Sequence, residues 1–267
     1  MQRRITVAAS PVPLYADHHP REDPTFMKTQ IPASILLGMF ALLAWSGMTH
    51  AQEEPAPTNQ RLVVVELFQS QGCSSCPPAE ANLNAIAGQQ DILALSFGVT
   101  YWDNLGWKDT FASMAYTDRQ WDYARHRSLG TVWTPQVYIN GHTDLVGTDR
   151  AQLDNAIAHA DMHGPLLTWE NQQLAVGTGK SPAMCDVWLV RYDPRTLHVA
   201  IRAGENGGRT LPHRNVVREL VHLGRWDGSS HSFAIPSSSM PGLSTAALIQ
   251  IESGGEIIAA SREPESD

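Results

Sequence analysis

Between Arg61 and His163, short apolar runs alternate with longer segments of mixed polarity. Leu62–Phe68 and Ile92–Val99 are continuous and rich in β-branched, Leu and Phe residues, the pattern of buried strands. Ala79–Ala87 reads as a helix ending at Gly88, and Asp118–Leu129 as a helix stopped at Gly130. Gln136–Ile139 is a strand, Asn140-Gly141 a hairpin turn and His142–Val146 the return strand. Asp149 caps a helix over Ala151–His163, and Gly164-Pro165 ends it. Residues 100–118 are an aromatic, polar insertion. The order β-α-β-(insert)-α-β-β-α predicts a mixed sheet covered by helices, the order of a thioredoxin-like α/β domain, over residues 61–164.

After Gly164-Pro165 the texture changes. Leu166–Val176, Ala183–Tyr192, Leu197–Ala203, Asn215–Leu223, His231–Ile235, Ala246–Ser253 and Glu256–Ala260 read as strands. Turns fall between them at Asp193-Pro194, Asn206-Gly-Gly208, Asp227-Gly228 and Gly254-Gly255. The expectation is a mainly β, sandwich-like domain over 165–262, with 263–267 a tail. Leu211–His222 also admits a helical reading.

The first 60 residues add no fold. Ile31–Gly47 is an apolar run preceded by Lys28 and followed by the small-residue site Thr49-His-Ala51. It reads as the core of a secretory signal peptide over 27–51, cleaved before Gln52, with an uncleaved membrane anchor as the alternative. Residues 1–26 read as an over-extended start ahead of Met27, and 52–60 as an extended linker. The expected location is therefore periplasmic or secreted, where disulfides persist, with no stable membrane insertion after cleavage. The formal net charge is −8 and no basic block is present, which argues against nucleic acid as a partner. Three cysteines in 267 residues exclude a disulfide-stapled scaffold.

Two of those cysteines carry the chemistry. Cys73 and Cys76 follow the first strand and Gly72, at Cys-x-x-Cys spacing where a helix begins. A helix N-terminus favours thiolate, and a second thiol three residues on can resolve a mixed disulfide. Cys73 is expected to be the exposed nucleophile and Cys76 the resolving thiol. An inert disulfide and half of a zinc site are the other readings, although no second Cys-x-x-Cys is present. Pro77 and Pro78 require the helix to start near Ser75 or Cys76, so that the missing donors fall in its first turn. Thr134-Pro135 precedes the hairpin. Read as the cis proline of a thioredoxin-like sheet, it presents the Thr134 backbone to an extended substrate; a trans proline opening a strand is the alternative. Glu66, inward on the first strand, is expected to take the proton of Cys76, or else to be a surface carboxylate. Trp102 and Trp107 either wall a substrate groove or fill core. Cys185 is read as a buried small hydrophobe.

The segments Glu66–Ala79, Ser96–Asp109, Thr134-Pro-Gln136, Gly204–Arg218 and Leu223–Gly228 resemble the secreted thioredoxin-like domain-of-unknown-function family twelve-twenty-three. The resemblance spans nearly the whole mature chain. It implies a thioredoxin-like fold and an extracytoplasmic location, and supplies no substrate. The expected function is thiol–disulfide exchange with no cofactor beyond the redox-active disulfide. Its substrate would be a protein or small-molecule thiol or disulfide, with a redox partner protein where the cycle requires one. A copper(I)-binding module and a non-catalytic binding protein are the alternatives.

Overall fold

The computed structural model describes residues 62–181 and 183–264. The over-extended start, signal peptide and linker expected from sequence lie outside the described residues, as do residues 265–267 of the expected tail, while the Glu263 N–H of that tail donates to Thr245 O (2.9 Å). Among the described residues no helix is long and apolar enough to cross a membrane.

The first part of the chain follows the expected order: β1 (Val63–Gln69), α1 (Pro77–Ile86), β2 (Ile92–Gly98), α2 (Met114–His126), β3 (Gln136–Ile139), β4 (Thr143–Leu145) and α3 (Arg150–Ala158). Both prolines fall in the first turn of α1, behind Cys76 at the N-cap. Asn140 and Gly141 both have positive φ, as an Asn-Gly hairpin turn requires. Asp149 Oδ1 accepts the Gln152 N–H and caps α3. Strands follow: β5 (Leu167–Glu170), β6 (Gln173–Val176), β7 (Cys185–Asp193), β8 (Leu197–Ala200), β9 (Thr210–His213), β10 (Val216–Trp226), β11 (His231–Ala234), β12 (Ser244–Ile251) and β13 (Ile257–Arg262). The run expected as one strand, Leu166–Val176, is a hairpin folded at Asn171 and Gln172, both at positive φ. Leu211–His222 is not helical: it is the end of β9, a turn at Arg214-Asn215 and the start of β10.

The fold expected from sequence is corrected by the sheet. The chain is not a helix-covered thioredoxin-like domain followed by a separate sandwich. It is mostly β, with one eight-stranded sheet in the order β13-β12-β7-β10-β2-β1-β3-β4. Strands from both stretches are therefore hydrogen-bonded into a single layer. The physical reason is the outer edge of β2. An unpaired strand edge must be covered or continued, and here β10 continues it, with Val216 opposite Ser96 in parallel register. The Ser96 N–H donates to Asn215 O (3.0 Å), and Asn215 Nδ2 donates to Ala94 O (2.8 Å). β10 then runs antiparallel to β7, and β7 to β12.

Side chains alternate across the sheet. Val64, Phe68, Leu95, Phe97, Val190 and Leu248 share one face with Tyr116 and Tyr123 of α2. On the other face Val65, Leu67 and Ala94 pack against Leu83 of α1 and Leu153 of α3. Further along that face, Val187, Ala247 and Ile249 meet Leu174 and Phe233 of the three-stranded sheet β11-β6-β5.

One charged pair is buried in the first interface. Arg119 of α2 donates from Nε to Glu66 Oε1 (2.8 Å) and from Nη1 to Gln250 Oε1 (3.0 Å), and the Tyr123 hydroxyl donates to Glu66 Oε2. Glu66 is fully buried and Arg119 is 4% exposed. Burial alone would lower the Arg119 pKa, but the adjacent Glu66 carboxylate raises it instead. Removing one partner strands the other charge in low dielectric. Arg119→Met is therefore expected to cost about 3–5 kcal/mol in urea unfolding. The double variant Glu66→Leu/Arg119→Met is expected to recover most of that loss. A single-variant cost under about 1 kcal/mol would show that water reaches the pair.

Candidate functional site

β1 ends at Gln69, and the chain turns tightly into α1. The Cys73 N–H donates to Ser70 O (3.1 Å), the Gly72 N–H to Ser70 Oγ (3.1 Å) and the Cys76 N–H to Cys73 O (3.2 Å). Cys73 and Cys76 are joined in a disulfide. Because Pro77 and Pro78 have no N–H, the first backbone donor of the helix belongs to Ala79, so the helix terminus offers the sulfurs less than the spacing alone implied. Cys73 was expected to be exposed. It is fully buried, and Cys76 is 1% exposed.

The cover comes from the far side of the chain. Asn206, fully buried, donates from Nδ2 to both Gln71 O (2.9 Å) and Cys73 O (2.9 Å). Glu205 Oε2 accepts the Ser74 N–H (3.0 Å), and the Ser74 side chain together with this N–H holds the Glu205 carboxyl below its ordinary pKa. Arg209 Nη1 completes Asn206 by donating to its Oδ1 (2.6 Å). The loop can lie this close because Gly204 has φ +72° and presses on Trp107; a Cβ there would sit 3.2 Å from Trp107 Cβ. In sequence this loop showed as a turn within the family-like segment Gly204–Arg218, with no site role assigned to it.

The aromatic insertion supplies a second wall. Trp107 Nε1 donates to Gln71 Oε1 (2.9 Å), and Trp102 Nε1 to Thr134 Oγ1 (2.7 Å). Asp109 accepts the Gln71 N–H at Oδ2 (2.8 Å) and the Phe111 N–H at Oδ1 (2.7 Å). Burial pushes the Asp109 carboxyl up, against the pull of those two bonds. Gly72 lies between Trp102 and Trp107, with 3.6 Å between its would-be Cβ and both Trp102 Cβ and Trp107 O. The Thr134-Pro135 peptide is cis, as read from sequence. Ser75 Oγ links the two parts of the site, 3.3 Å from Cys73 Sγ and 3.5 Å from Thr134 O. The structure therefore brings together Cys73, Cys76, Gly72, Trp102, Trp107, Thr134 and Pro135.

Glu66 does not join them. It alternates onto the α2 face of β1, with Val64 and Phe68, and is taken up by Arg119 and Tyr123. The carboxylate on the α1 face is Glu80, one helical turn after Cys76 and 4% exposed. Ser96 Oγ donates to Glu80 Oε2 (3.2 Å), and His213 Nδ1 lies 3.3 Å from Glu80 Oε1. That approach is close enough for an ion pair but is not aligned as a hydrogen bond, and among the described residues neither ring nitrogen of the buried His213 has another partner. Cys76, Glu80 and His213 together line a cavity of about 180 Å³. The i, i+4 spacing from Cys76 could have signalled Glu80; nothing local signalled His213, Glu205 or Asn206.

Cys185 is free, buried on β7 and 3.1 Å from Ser181 Oγ, with burial raising its thiol pKa. It lies in the core shared with the three-stranded sheet. Among the described residues no group of three or more His, Cys, Asp or Glu side chains is placed to hold a metal ion.

A family model described as protein of unknown function (DUF1223) matches residues 64–250. The crystal structure of protein AGR_C_4864 from Agrobacterium tumefaciens is similar at 28% identity and a TM-score of 0.64, over 77% of this chain and 96% of that one. HBP35 of Porphyromonas gingivalis aligns at 12% identity and a TM-score of 0.48, over 76% of this chain and 75% of that one. No curated protein sequence matches the chain.

The two bonds from Asn206 should govern access to the disulfide. At about 0.5–1.5 kcal/mol each, their loss in Asn206→Ala is expected to speed reduction by dithiothreitol about tenfold. Stopped reduction samples alkylated for mass measurement would show it. A rate within twofold of the parent would mean that the loop is not the barrier.

Proposed function

The chain belongs to the DUF1223 family of proteins of unknown function, and from that starting point we propose that it carries out thiol–disulfide exchange at Cys73 and Cys76. The observation that carries this reading is the separation of the pair, three residues. A disulfide stabilises by restricting the unfolded chain, and the effect grows with the loop closed. A loop this short contributes well under the about 3 kcal/mol assigned to a 15-residue loop. As a staple the bond does little, yet the fold surrounds it with polar groups from distant strands.

In this reading a thiol attacks one sulfur, a mixed disulfide forms, and the other cysteine leaves as thiolate. Thr134, Pro135 and Trp102 border the Cys73 side, where an extended protein substrate would lie once the Gly204–Gly208 loop moves. No cofactor other than the disulfide takes part. The work is done outside the cytoplasm, consistent with the apolar run Ile31–Gly47 and its small-residue site at Thr49–Ala51. The burial of both sulfurs favours a second reading, a binding protein whose disulfide stays closed.

A glutathione redox titration of residues 52–267, read by alkylation of Cys73 and Cys76, separates the two. The expected midpoint lies between roughly −120 and −270 mV, the span of exchange-active dithiols. A midpoint below about −300 mV would replace exchange with the closed-disulfide reading.

A further inference from the structure

The disulfide has two unlike sides. Cys73 sits under Asn206 and beside Ser75, and it is not among the walls of the cavity. Cys76 is. The rim of that cavity is exposed at Ala81, Arg209 and Thr210, and its depth is formed by the buried Cys76, Glu80 and His213. At about 180 Å³ it is smaller than the about 300–1,000 Å³ typical of drug-sized ligand sites. It admits a small molecule and excludes a polypeptide.

His213 is the unusual wall. It is 1% exposed and packs against Phe111 edge-to-face at 5.7 Å between ring centres, and among the described residues neither nitrogen makes an aligned hydrogen bond. Buried polar groups normally find partners, and one left over needs an explanation such as a catalytic role or a bound ion or water. The Glu80 carboxylate lies 3.3 Å from Nδ1 and accepts a hydrogen bond from Ser96, so the neutral ring is taken with its proton on Nδ1. Nε2 is then an acceptor, suited to take the proton of an incoming acid near a sulfur.

We propose that this cavity is a subsite for a low-molecular-weight thiol, which attacks Cys76 with His213 as its base; the inference rests on the exchange reading above. The thiol S–H gives its proton to His213 Nε2. The thiolate electron pair forms a bond to Cys76 Sγ, the Cys73–Cys76 bond breaks, and its pair remains on Cys73 as thiolate beside the Ser75 hydroxyl. A second thiol gives its proton to the Cys73 thiolate and attacks the sulfur of the bound first thiol. A small-molecule disulfide leaves, and Cys76 departs as thiolate and takes the proton back from His213. Two thiols are oxidised, and the protein disulfide is reduced to two thiols. The attacked sulfur is thus opposite to the one expected from sequence.

The test uses the oxidised mature chain and 2-mercaptoethanol as probe, with acid quench, alkylation and peptide mapping. The expected intermediate carries the hydroxyethyl adduct on Cys76 and the alkyl group on Cys73, in about tenfold excess over the reverse. An adduct chiefly on Cys73 would overturn the inference and leave exchange standing. A disulfide inert to the probe would overturn the exchange reading as well. His213→Gln is expected to slow adduct formation roughly 100-fold. Its reduction by a phosphine, which has no proton to give up, is expected to stay within about threefold of the parent. Equal slowing of both reactions, or of neither, would remove His213 from the role of base.

Discussion

The pairing of β10 with β2 is the constraint on which the rest of the structure depends. It is made at one point, Val216 against Ser96, and secured by the main chain and side chain of Asn215. That register fixes where the residues just before β10 must lie. His213 precedes Val216 by three residues, so it arrives beside Ser96 and hence beside Glu80, the partner of Ser96. The β8–β9 hairpin, which brings in β9, carries Glu205 and Asn206 in its loop onto the backbone of Ser74 and Cys73. A single strand addition thereby continues an exposed edge and brings three polar side chains, Glu205, Asn206 and His213, to the surroundings of one disulfide.

The alternation of β1 and the position of α1 divide two buried carboxylates, Glu66 and Glu80, between separate tasks. Glu66 and Glu80 lie within 14 residues of one another in sequence, but they serve opposite faces of the sheet. Glu66 ties β1 to α2 and, through Arg119, to Gln250 of β12. It is fully committed to structure. Glu80 has a hydroxyl and an imidazole for company, neither of which neutralises it permanently.

Local signals in the sequence were read well where the information is local. The Asn140-Gly141 turn, the Asp149 cap, the prolines behind Cys76 and the strand Gln136–Ile139 depend on backbone preferences of a few residues. Family resemblance was legible for the same reason, in contiguous motifs. What the chain did not disclose is pairing at long range. The change in texture at Gly164 suggested that a second body begins there, because periodicity reports which residues alternate and not which strands adjoin. Asn206 and His213 were invisible as site residues, since each stands in a short polar stretch that looks like any turn or strand end. Glu66 was misassigned because an inward carboxylate near a dithiol looks reactive until its partner, 53 residues away, is known.

The sequence distances around the disulfide also set an order in time. Cys73 and Cys76 are three residues apart and can meet as soon as they are made, whereas Ser74 and Glu205 are 131 apart and Cys73 and Asn206 133. Contacts at such separations are slow to form because the intervening chain must first be ordered. On the exchange reading, a chain emerging from its synthesis would present a bare dithiol, open to any thiol or disulfide it meets. The finished protein presents the same two sulfurs behind a loop. Maturation itself would then act as a filter, ending indiscriminate chemistry at the moment the last strands close the sheet.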